Sequence, residues 1–86
     1  MEKVPINKTV LRWAREEARL SLQDAALRAG IQDIKARGDR EGLSAWERLE
    51  KWEDGVDSPS FPQLEKIAKA YRRPVLTFFL ASPPSR

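Results

Sequence analysis

The sequence predicts an all-α fold: a compact five-helix bundle containing a helix-turn-helix with an insertion, about residues 32–43, between helices two and three. Three observations predict it. Apolar residues recur at helical spacing in five segments, and no segment alternates as a strand does. Capping boxes open three of those segments, at Ser21 with Asp24, Ser44 with Glu47, and Ser60 with Gln63. Finally, LSLQDAALRAG (20–30) and LSAWERLEKWEDG (43–55) read as two close-packing helices. The turn that ordinarily joins such a pair has about three or four residues, and here it is stretched.

Helix one runs from about Asn7 or Thr9 to Ala18, with Leu11, Ala14 and Ala18 on one stripe and Val10 and Trp13 at its edge. Helix two starts at Ser21. Its small residues Ala25, Ala26 and Ala29 share a face with Leu22, so a second backbone can approach closely there. Helix three brings Leu49 and Trp52 to that face and stops at Gly55. Helix four carries Leu64, Ile67, Ala68 and Tyr71 on one face, with Pro62 suited to its first turn. Arg73-Pro74 ends it, and a short apolar helix follows from Val75 to Leu80. The predicted spans are 9–18, 21–29, 44–54, 61–71 and 74–80, with Leu11, Ala25, Leu49, Trp52, Leu64, Ile67 and Tyr71 buried together. In the connection GIQDIKARGDREGL, Ile31, Ile34 and Leu43 are expected to pin the ends while Arg37 to Gly42 stay mobile. Residues 1–86 form a single domain, with 81–86 as a tail or the start of a linker.

The chain has 86 residues, 16 Lys and Arg against 13 Asp and Glu, a net charge of +3 and a pI near 9.6. That balance is compatible with a polyanionic partner. Cysteine and histidine are both absent, which removes thiolate metal sites, disulfides, the commonest general base and the commonest zinc ligand. Glu16 and Glu17 are adjacent on a helix and diverge, and there is no Gly-rich phosphate loop. Neither an enzyme nor a cofactor is expected. MEKVPINKT lacks the apolar run of a signal peptide, and Val75 to Ala81 is too short to span a bilayer, so the expected setting is cytoplasmic, with no membrane partner.

The order AREEARLSLQDAALRAG, then ERLEKWEDG, then SPSFPQLEKIAKAYRRPVLTFFL resembles the XRE (Cro/cI-like) helix-turn-helix domain. More narrowly, it resembles the version found in front of ImmA/IrrE-type metallopeptidase domains. The most specific pieces are WED-G-x-x-S-P (52–59) and LEKIAKAYRRP-x-x-x-FFL (64–80). The resemblance implies a bundle, often dimeric, whose helix three enters the DNA major groove. The start of helix two and the loop after helix three would hold phosphates. Two features depart from the family: the enlarged connection, and the absence of the HExxH zinc motif of the peptidase.

On this resemblance the candidate DNA-binding residues are Ser21 and Gln23 at the start of helix two, and Ser44, Trp46, Arg48 and Lys51 on helix three. Lys35, Arg37 and Arg40 join them from the connection. Arg48 and Lys51 suit guanine edges or phosphates. Against this stand Glu47, Glu50, Glu53 and Asp54, which also let helix three be read as a solvated acidic helix, and Asp33, Asp39 and Glu41, which neutralise the connection. Adjacent Phe78 and Phe79 point about 100° apart, so only one is easily buried; with Leu80 they are candidates for a dimer or domain interface. The expected function is sequence-specific binding of double-stranded operator DNA in a prokaryotic or phage-type transcriptional regulator, antitoxin-like regulators included, acting as a homodimer or with a following domain or partner protein. The alternative is an interaction module of the same fold that recruits or regulates a metallopeptidase or toxin without binding DNA.

Overall fold

The computed structural model describes residues 6–39 and 41–83. Four α-helices, α1 (Lys8–Glu17), α2 (Leu22–Arg28), α3 (Ala45–Asp54) and α4 (Phe61–Tyr71), precede a 3-10 helix, Val75–Phe79, called here the C-terminal turn. Side chains set the starts. Asn7 Oδ1 accepts from the amides of Thr9 and Val10, Ser21 Oγ accepts from Asp24, and Ser60 and Gln63 form a reciprocal box. Each cap satisfies amides that a helix leaves without intrahelical partners, and losing one costs about 1 kcal/mol.

The core is the meeting of the apolar stripes. Val10, Leu11 and Ala14 of α1, Ala25 and Ala26 of α2, Leu49 and Trp52 of α3, and Leu64, Ile67, Ala68 and Tyr71 of α4 are all buried. The most extensive helix pair is α2 with α3, as the small face of α2 requires. Truncating Leu49 to alanine there would cost about 2–5 kcal/mol.

The fifth predicted helix is not α-helical. The C-terminal turn is only five residues long and is bonded in the i to i+3 pattern, Thr77 N–H to Pro74 O and Leu80 N–H to Thr77 O. Pro74 supplies no amide, Val75 and Thr77 are β-branched, and Leu80 is already extended at φ −69°, ψ 148°, so no second turn forms. Phe78 is nevertheless fully buried and closes the base of the core, its ring 6.3 Å from that of Tyr71.

Gly30, at φ +68°, ends α2, and the Ile31 amide returns to the Ala26 carbonyl, tucking Ile31 against the core. Beyond it, Ile34 and Leu43 exchange both backbone hydrogen bonds, at 2.7 and 2.8 Å. The side chain of Ile34 stays 45% exposed, so its end of the connection is pinned by main-chain pairing and not by apolar anchoring. Gly42 is required by this arrangement, because a Cβ there would lie 2.7 Å from the Ile34 carbonyl oxygen. Among the described residues this isolated bridge is an antiparallel pairing, not a strand of a sheet.

Candidate functional site

The outward side of α3 begins with a cap stronger than its own box. The Glu47 carboxylate accepts from the Ser44 amide at 3.0 Å and from its hydroxyl at 2.8 Å. These hydrogen bonds stabilise the ionised form and hold the Glu47 carboxyl below the ordinary glutamate range. Asp33, from the long connection, adds a second carboxylate, accepting from the Ala45 amide at 2.7 Å. The positive end of α3 therefore already faces two internal anions. Ser44, expected as a DNA contact, is committed to Glu47.

Arg48 departs from expectation more sharply. Its Nη1 donates to the Gln32 carbonyl at 2.7 Å, and its guanidinium lies 5.6 Å from the Trp52 ring. It ties the connection to α3 in place of projecting freely, because the chain leaving Ile31 passes within reach of the second turn of α3. Trp46 is half-buried and packs at the edge of the core. Lys51 is half-exposed, while Ser21 and Gln23 at the start of α2 and Lys35 and Arg37 in the connection are exposed. Arg40 lies outside the described residues.

The acidic end of α3 is not a row of solvated charges. Glu53 is only 4% exposed and takes a two-pronged contact from Arg15 of α1, Nε to Oε2 at 2.7 Å and Nη2 to Oε1 at 3.0 Å. Arg12 reaches Glu53 Oε1 at 3.4 Å and Asp54 at 3.4 Å. Arg15 also donates to the Leu20 carbonyl, so one guanidinium links α1, the α1–α2 turn and α3. The hydrogen bond to Glu53 raises the Arg15 pKa further above its ordinary value, more than burial lowers it. Sequence reasoning missed this pair, although the signal was present. Glu53 lies at i+4 from Leu49 and Arg15 at i+4 from Leu11, both on buried stripes.

At the far end, Phe78 is in the core and cannot line an interface; Phe79, 42% exposed, and Leu80 remain available, with Leu76 beside them. Among the described residues no group of three or more metal-ligating His, Cys, Asp or Glu side chains occurs, and no helix is long and apolar enough to cross a membrane. No family model, curated protein or solved structure matches this chain.

Proposed function

We propose that this chain is a helix-turn-helix DNA-binding domain of a transcriptional regulator, with α2 and α3 as the pair and residues 32–43 as an insertion within its turn. The observation that carries the reading is that the acidic side chains of α3 are turned back onto the domain. Glu47 turns back on Ser44, Glu53 is buried against Arg15, and Asp54 faces Arg12. Two of the four acidic side chains that would repel phosphate, Glu53 and Asp54, are thus paired with arginines, and Glu47 is drawn back to the helix start. Lys51 is the contact on α3, with Gln23 on α2 and Lys35 and Arg37 on the insertion as backbone contacts. Arg48 takes part by fixing the insertion, a change from the base-reading role its sequence position suggests.

Fluorescence anisotropy against a duplex library at two salt concentrations tests the reading. Binding should fall steeply with salt through counterion release. Lys51→Ala should relax preference at one base position, at a cost of about 1–3 kcal/mol, whereas Arg37→Ala should weaken all duplexes alike and lower the salt slope by about one. No preference over random DNA, with little salt effect, would reject it.

One observation favours the second reading, a protein-interaction module: both the first turn of α3 and its arginine are already held by Asp33, Glu47 and Gln32. Retained affinity for a metallopeptidase or toxin partner in a domain blind to duplex DNA is the result that would select it.

A further inference from the structure

Where α4 meets the C-terminal turn there is a shallow cleft of about 380 Å³. Ala68, Pro74 and Val75 supply apolar lining, and Lys69, Arg72 and Arg73 supply three cations against the single acid Glu65. Arg73 is held in place. Its guanidinium lies over the Trp13 ring, Cζ 4.2 Å from the ring centre, and the residue is half-buried. A guanidinium seated over a ring keeps in-plane N–H donors that the ring does not use. No acceptor among the described residues meets those donors or the charged ends of Lys69 and Arg72. Arg72 moreover holds a left-handed backbone, φ +57°, a conformation that favours glycine. Three cations against one acid therefore ring an apolar hollow, one of them seated on an aromatic ring before any ligand arrives.

We propose that this cleft docks an acidic segment of a partner protein in which carboxylates flank an apolar side chain. Charge complementarity selects the sign, and the apolar lining selects a peptide with an apolar side chain over a run of phosphates, which gain nothing from Val75 and Pro74. The volume lies within the range, about 300–1,000 Å³, in which pockets enclose small ligands or a few side chains. Planar carboxylates match the fork of Arg73. This inference stands apart from the DNA-binding reading, since the cleft uses no residue of α2, α3 or their connection.

The test is a titration of the intact chain with a dye-labelled nonapeptide of alternating glutamate and leucine, beside the same peptide with glutamine for glutamate. Saturable binding of the first and not the second is expected. Arg73→Gln, and separately the double variant Lys69→Gln with Arg72→Gln, should weaken it about tenfold or more, the scale of a lost charge-assisted hydrogen bond. Arg73→Lys, which keeps a cation over Trp13 without the planar fork, should fall between wild type and Arg73→Gln. Circular dichroism melts establish that each variant is folded, and the exposed pair Lys69 and Arg72 tests the cleft without touching Trp13. No saturable binding at millimolar peptide, or equal binding by folded variants, would overturn the proposal. So would a random duplex that needs these three cations where the peptide does not.

Discussion

Arg15 and Glu53 form a two-pronged ion pair, 2.7 and 3.0 Å, across the packing of α1 on α3, with the glutamate almost wholly out of water. Removing Glu53 leaves the Arg15 guanidinium without its carboxylate, with only 14% of the side chain exposed to solvent. Glu53→Ala should therefore destabilise the domain by about 3–5 kcal/mol. The double replacement Arg15→Met with Glu53→Leu removes both charges and should recover most of that loss. Urea unfolding of the two variants decides it, and a double variant as unstable as the single one would show that the pair is not what matters.

Tyr71 presents the opposite case. Its buried hydroxyl has no hydrogen-bond partner among the described residues, and burial, reinforced by the charge of Glu53, pushes its pKa well above the ordinary phenol value. The folded state thus holds the proton more tightly than the unfolded chain. Stability present below pH about 10 should then fall as pH rises through that value, because the unfolded phenol ionises first. Tyr71→Phe should abolish this alkaline dependence and raise stability near neutral pH by about 1 kcal/mol. Absorbance titration reads the group directly, since the chain has 1 tyrosine.

Gly42→Ala should disrupt the Ile34–Leu43 pairing while leaving the four helices intact. A Cβ at 2.7 Å from a backbone oxygen cannot be relieved by side-chain rotation. Amide exchange should accelerate at Ile34 and Leu43, and at Ala45 if Asp33 is drawn away with them. Unchanged protection at all three would show that the connection tolerates the methyl group.

The exposed trio Leu76, Phe79 and Leu80 should pair two copies of the chain. Light scattering should give about twice the 9.9 kDa monomer mass for the wild type and the monomer mass for Phe79→Glu. A wild type that stays monomeric at high concentration would remove the pairing.

The helix starts were legible in the sequence because they are local. Ser21, Ser44 and Ser60 each act within three residues, and the apolar stripes repeat within one or two turns. The burial of Leu49, Trp52 and Tyr71 followed from those stripes. What could not be read were contacts set by the path of the chain. Asp33 reaches Ala45 across 12 positions, and Arg15 reaches Glu53 across 38. Nothing local distinguishes Asp33, in a mixed-charge loop, from its neighbours. Arg48 shows the same limit from the other side, since facing outward on α3 does not make it free. The C-terminal turn was placed correctly along the chain, but five residues following a proline were too few for an α-helix.

Asn7 does more than cap α1. Its side-chain amide donates to the carbonyls of Leu80 and Ala81, at 3.0 and 2.8 Å, and its main-chain amide donates to Phe78 at 2.9 Å. One residue thereby laces the beginning of the described chain to its end. A carbohydrate on that nitrogen, as the pattern Asn7-Lys8-Thr9 would formally permit, is incompatible with those two bonds. The topology is in effect that of a ring left unsealed. A short linker between the two ends, with a cut between Gly38 and Asp39, would give a permuted chain whose order runs α3, α4, α1, α2 over the same packing.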